Sequence, residues 1–293
     1  MTFFYVTATK DKFFSNSKNK ERFIDALALK LNNAGIKVVR ATNDADVPIV
    51  KEAVSLIEKF KENTVVVVGQ DIDLPCILLA NVPSTTNILF FKEGKGTVPS
   101  KYFSSKDILS SNILPNIRES ILLIHGFSGA DATSAFYNHG KLKIAALFKK
   151  YNLDDIVKIF NDFHSTAEEI AEAGEKLTLN LYKSSKDIKF QSLDELRYSS
   201  FKKSVNIKNQ EVLLSSLPPT SAANRQHSYR VFYQIQTWLG RDLEPTKWGW
   251  KKSDGCLMPI YSSEPPAPNS ILKIIACSCK KGCVKRCSCK KVE

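Results

Sequence analysis

No apolar stretch in the 293 residues reaches the ~20 consecutive positions that a membrane-spanning helix needs. The opening run Phe3–Val6 is also too short for the core of a secretory leader. These two absences argue against a membrane partner and make a reducing intracellular setting the expectation. Histidine is scarce, with four residues, and His139, His164 and His227 show no metal-ligand spacing. His125 lies in the apolar run "LLIHGF" and reads as a packed histidine rather than a base. Acid is in deficit, with 42 Lys and Arg against 30 Asp and Glu, a net charge of +12. A polyanion is therefore the favoured partner, nucleic acid before membrane, because no basic amphipathic helix is evident. Ordinary solubilising charge is the alternative. No internal repeat is visible. A hydrophobic content of 43% excludes a mostly disordered chain.

Periodicity then divides the chain. Residues 18–35 read as a helix, with Phe23, Ile24, Leu27 and Leu31 on one face, Ser17 at the start and Gly35 at the end. "IKVVRA" (36–41) reads as a short strand and residues 46–60 as a second helix, with Ile49, Ala53, Ile57 and Phe60 on one stripe. "TVVVVG" (64–69) lacks alternation, as a parallel strand covered on both faces would, and "NILFFK" (87–92) is a third strand. The expected fold class is α/β with a parallel sheet over residues 1–150. A mainly helical extension follows over 151–261. Capping-box matches at Ser165–Glu168 and Ser192–Glu195 open further helices there, residues 219–239 form another, and a hairpin turns at Asp254-Gly255. Residues 262–270, "SSEPPAPNS", are a linker, and 271–293 a basic Cys-rich tail.

Two places put paired acid at strand ends: Asp44 and Asp46 after "IKVVRA", and Asp71 and Asp73 after "VVVVG". If each Asp-x-Asp continues its strand, the period of two points both carboxylates one way. Adjacent parallel strands would then gather the pairs at the sheet edge where α/β proteins bind ligands. Asp131, in the small-residue turn "GFSGADATSAF", is a fifth acid. Clustered carboxylates need a cation to stay ionised, and all-oxygen ligation suits Mg²⁺ or Mn²⁺. Helix capping by Asp46 and Asp73 is the alternative; it leaves Asp44 and Asp71 without a role. Cys76 is a buried thiol in this reading. Reading Asp71 and Asp73 as the nucleophile and acid of a phosphatase fits poorly with the Leu74-Pro75 that follows.

The tail "ACSCKKGCVKRCSCKKVE" packs Cys277, Cys279, Cys283, Cys287 and Cys289 among lysines, a density that suits tetrahedral zinc. Lys280, Lys281, Lys285 and Arg286 lower thiol pKa and present a basic surface to phosphate. An unstructured basic tail is the alternative. Lys141, Lys143, Lys149 and Lys150 after Asp131 would grip a nucleic-acid backbone, or form a solvated helix face.

In order and setting, "NDADVPIV", "VVVVGQDIDLPCILL" and "LLIHGFSGADATSAF" resemble the acidic motifs of the PIN-like, flap-endonuclease (XPG-type) nuclease fold. The resemblance implies a Rossmann-like parallel sheet. It also implies two-metal phosphodiester hydrolysis, with Asp44, Asp46, Asp71, Asp73 and Asp131 as catalytic metal ligands. The lysines after Asp131 loosely resemble that family's duplex-gripping helical turn. "FFSNSKNKERFI", "LPPTSAANRQHSYR" and "WGWKKSDG" extend the likeness to a group of invertebrate proteins derived from mobile elements. The tail resembles the first half of a tesmin-type CXC domain, a zinc-cluster DNA binder. These likenesses imply DNA as partner and a nuclear location. The fold's first strand, which carries its own acid, has no counterpart beyond Asp11 in "MTFFYVTATKD". A shortened, non-catalytic nucleic-acid-binding protein therefore stands beside the nuclease as the alternative.

Overall fold

The computed structural model describes residues 9–41, 44–60, 63–83, 86–183, 190–205 and 213–264. Along them run α1 (Lys10–Phe14), α2 (Ser17–Asn33), α3 (Asp46–Lys59), β1 (Val65–Val68), α4 (Asp73–Asn81), β2 (Ile88–Lys92) and β3 (Lys101–Ser104). Then follow α5 (Ser105–Ser110), α6 (Ile117–Phe127), α7 (Lys141–Lys150), α8 (Asp154–Asn161), α9 (Ala167–Tyr182), α10 (Leu193–Val205), α11 (Ser221–Trp238), β4 (Trp250–Ser253) and β5 (Cys256–Pro259). The chain is thus mixed α/β, with helix in excess. It divides into two units, Met1–Pro48 and Ile49–Glu293. Among the described residues, no helix is long and apolar enough to cross a membrane. The run 1–8, most of the linker and the whole cysteine tail lie outside the described residues.

In the first unit Phe14 stands edge-on to Phe13 and Phe23, with centroids 5.2 Å apart in both pairs. Asn16 rather than Ser17 caps α2, accepting from the Lys18 and Asn19 amides at 3.0 and 3.4 Å. Gly35 closes the helix with φ 77°, as its position suggests. Residues 36–41 do not form the expected strand. A strand needs a neighbour to share its N–H and C=O groups, and the described part of this unit contains none. Arg40 instead returns to α2, pairing with Asp25 and, at 3.7 Å, with Glu21. The stripe Phe23, Ile24 and Leu27 is exposed, and α2 buries no residue.

The stripe of α3 is rotated from the expected one: Val50, Ala53 and Ile57 are buried, while Ile49 and Phe60 are exposed. The second unit contains a three-stranded sheet ordered β1-β2-β3. β1 runs parallel to β2, pairing Val65 with Ile88 and Val67 with Phe90, and β2 is antiparallel to β3. The four valines were expected to be covered on both faces, yet Val67 is 4% exposed while Val66 and Val68 are 44% and 64% exposed. The reason is position: among the described residues β1 lies at the rim of its sheet, and only the face shared with Ile88 and Phe90 is packed. β3 was not anticipated. Asn87 secures the start of α5 beyond it, its Oδ1 accepting from Ser104 Oγ at 2.9 Å and the Lys106 amide at 3.3 Å.

The helical part packs around fully buried aromatics, Phe127, Phe160, Phe232 and Trp238. Truncating one of them to alanine costs about 3–5 kcal/mol. The capping box that opens α9 is Thr166 with Glu169, one residue beyond the Ser165–Glu168 match. At α10 Ser192 accepts from the Glu195 amide at 3.3 Å, but the Glu195 carboxylate reaches the Gln191 amide instead of that of Ser192. Helix α11 forms within the expected 219–239 and buries Phe232, Ile235 and Trp238 along one stripe. The β4–β5 hairpin turns at Asp254-Gly255, both with positive φ. Arg230, 3% exposed, clamps it to α11 by donating to the Gly249 and Ile260 carbonyls.

Candidate functional site

The acids after β1 do not continue the strand. Gly69 extends the ladder by one bond, its amide donating to Phe91 O at 3.1 Å. A side chain there would collide with Leu74, whose Cδ2 lies 2.6 Å from the ideal Cβ position. The chain then turns. Asp71 Oδ1 accepts from the amides of Ile72 at 2.6 Å and Asp73 at 3.3 Å, and Asp73 is the first residue of α4. In the first unit, Asp44 Oδ1 accepts from the Asp46 amide at 3.2 Å, and Asp46 is the first residue of α3. The two sites therefore share a local motif, Asp-x-Asp-aliphatic-Pro. The first aspartate accepts from a backbone amide at the helix start, the second lies where the helix dipole favours negative charge, and proline occupies the first turn. Two expectations are corrected. Asp44 and Asp71 do have a structural role, bonding backbone amides at a helix start, and the period-of-two argument for their direction does not apply. A short repeat does exist.

Asp73 reaches further. Its Oδ1 lies 2.6 Å from His125 Nε2, joining α4 to α6 across 52 residues of sequence. The His125 side chain is 2% exposed and that of Asp73 14%. A carboxylate only accepts, so Nε2 carries the proton. Burial lowers the imidazole pKa, and the Asp73 hydrogen bond opposes this only in part, so the ring is neutral. Its other face stacks on Trp238, and its Nδ1 is buried with no partner among the described residues. Cys76 lies one turn into α4; burial first, and Asp73 next, push its thiol up to about 12. It is a protonated packing group, as expected.

After α6 the chain makes a braced turn. Thr133 Oγ1 donates to Gly126 O at 2.7 Å and accepts from the Ala130 amide at 2.9 Å. Gly129 adopts φ 105°, with Ala135 Cβ only 2.8 Å from where a side chain would start. Lys141, the first residue of α7, donates through Nζ to Gly129 O at 2.8 Å, and its charge is felt at both His125 and Cys76. Asp131 is exposed at the tip of this turn.

The second unit thus brings Asp71 and Asp73 together beside His125, with Lys141 close by and the Asp131 turn fixed to Lys141 through Gly129. Asp44 and Asp46 belong to the first unit. No group of three or more His, Cys, Asp or Glu that could hold a metal ion is assembled among the described residues. The four lysines expected to grip a backbone are spread along α7. Lys141 and Lys143 stand at its start and Lys149 and Lys150 at its end, about 10 Å along the axis. Lys143 Nζ lies 3.5 Å from His139 Nδ1, and Lys150 Nζ sits 4.9 Å over the Tyr151 ring. Cys277, Cys279, Cys283, Cys287, Cys289 and their basic neighbours Lys280, Lys281, Lys285 and Arg286 lie outside the described residues. Sequence reasoning placed His125 in the core but missed its bond to Asp73, because no spacing rule links positions on separate helices.

No protein-family model matches the chain, and neither a curated protein nor a solved structure matches it significantly.

Proposed function

We propose that the chain binds nucleic acid and cleaves phosphodiester bonds with the help of a divalent cation held by Asp71 and Asp73, with Asp131 contributing from the neighbouring turn. The observation carrying this reading is the 2.6 Å contact between Asp73 and His125, which brings the "VVVVGQDIDLP" and "LLIHGFSGADATSAF" segments to one place. The donor set suits a hard cation. Two adjacent carboxylates offer oxygen, while His125 is committed to Asp73 and the Cys76 thiol stays protonated. Mg²⁺ commonly takes only one or two carboxylates, completing its shell with water and substrate phosphate, so a preassembled cage of three side chains is not required. Such a cation would neutralise phosphate charge and polarise an attacking water. Asp71 is exposed and open to a ligand, and Asp73 is held in place by His125. Lys141 adds positive charge at the mouth of the site. In the tail, zinc at the clustered thiolates and a nuclear DNA target complete the proposal.

The test is incubation of the full chain with single-stranded or branched DNA and Mg²⁺ or Mn²⁺. Cleavage that stops with a chelator and in Asp71→Asn, which keeps an acceptor for the helix-start amides, supports the reading; none by the wild type rejects it.

A second reading rests on the shared Asp-x-Asp turn. Because Asp44 and Asp71 both accept helix-start amides, the acids have a sufficient structural role in a non-catalytic nucleic-acid binder. Steeply salt-dependent DNA binding without turnover, unchanged in Asp71→Asn, would select it.

A further inference from the structure

We infer that His125 is the positioning residue for Asp73, tying Oδ1 so that Oδ2 is the oxygen left for a ligand. The inference rests on the cation-site reading above and deepens it. His125 is too deeply buried, at 2% exposure, to touch a substrate, so it acts only through Asp73. Among the described residues the Asp73 carboxylate makes no other hydrogen bond, so this one contact decides how the group is turned. The ring itself is fixed. It stacks on Trp238 at 5.2 Å with planes 26° from parallel, and its helix continues into the turn braced by Thr133 and Lys141.

The experiment is Mg²⁺ titration of the full chain, followed by calorimetry and by the ring ¹⁵N resonances of His125. His125→Phe keeps an aromatic ring against Trp238 but removes the donor; His125→Gln restores an amide N–H near the Nε2 position. The wild-type ring is expected in the Nε2–H form, with its resonance displaced by Mg²⁺. Affinity should weaken about tenfold in His125→Phe and return to within about twofold in His125→Gln. A folded His125→Phe with wild-type affinity overturns the inference. So does an Nδ1–H ring in the wild type, a result that needs no variant. Failure of His125→Gln to regain affinity assigns the effect to ring packing and also overturns it. If the wild type binds no Mg²⁺, the proposed function falls first. If it binds Mg²⁺ while the His125 resonance stays unmoved, only the positioning role falls.

Discussion

The rings of His125 and Trp238 lie parallel to within 26°, with centroids 5.2 Å apart, so the partner of Asp73 rests on the last residue of α11. The same residue binds α4 from the other end, its carbonyl accepting from Asn81 Nδ2 at 3.4 Å. Three helices, α4, α6 and α11, thus meet at one residue, α6 through its ring and α4 through its backbone carbonyl.

Removing that indole should be costly. Trp238 is 1% exposed, and Trp238→Ala is expected to lower stability by about 3–5 kcal/mol, measured as a shift of the urea midpoint at constant slope. Trp238→Phe, which preserves a stacking partner, should lose clearly less.

The two Asp-x-Asp turns can be separated from any chemistry. Asp44→Ala and Asp71→Ala each delete a bond to a helix-start amide, and each should cost about 1 kcal/mol in chemical denaturation. Asp71→Asn keeps an acceptor for the helix amides, so its stability should remain near that of the wild type. Loss of cation binding in the asparagine variant without loss of stability would assign the charge, rather than the bond to the helix-start amides, to function.

His227 makes the fold acid-sensitive. Full burial first, and Arg230 second, push its imidazole down to about 3 from an ordinary 6.5, and its Nε2 lies 3.3 Å from Phe127 O. The folded state therefore holds this ring neutral where the unfolded chain would protonate it. Stability from this source is complete above pH 6.5 and is lost as pH falls toward 3. The decline should approach about 1.4 kcal/mol per pH unit at its steepest. In His227→Leu the dependence between pH 6 and 4 should flatten, a change read from urea unfolding at each pH. His125, lowered by the same cause, contributes in the same direction and leaves a residual slope in that variant.

Gly129 is predicted to be intolerant of any side chain. Its φ of 105° and the 2.8 Å approach of Ala135 Cβ both oppose a Cβ, so Gly129→Ala should cost about 1–3 kcal/mol in thermal unfolding. The loss should be accompanied by weaker restraint of Lys141, whose Nζ bonds the carbonyl of this residue.

Local signals in the sequence located most helices and the hairpin. Gly35, Asp254-Gly255 and the 219–239 period each mark a boundary through backbone chemistry that acts within a few residues. What failed depended on neighbours. Residues 36–41 have the composition of a strand but no strand to pair with among the described residues of their unit, and Val65–Val68 lack alternation yet occupy a sheet rim with one face bare. The acids were found, but their direction was misjudged because strand periodicity was carried past Gly69 into a helix start. Thr166–Glu169 prevailed over the adjacent Ser165–Glu168 because Glu169 reaches back to both the Thr166 amide and hydroxyl at 2.8 Å. The contact of His125 with Asp73 is a tertiary event, invisible to any rule confined to one element.

The rim position of β1 also has a kinetic signature. Among the described residues this strand pairs only with β2, so alternate amide protons along Val65–Val68 point toward a bonded neighbour and away from one. Deuterium should enter this tetrapeptide in a fast–slow alternation, while the amides of β2, flanked by ladders on both sides, resist uptake throughout.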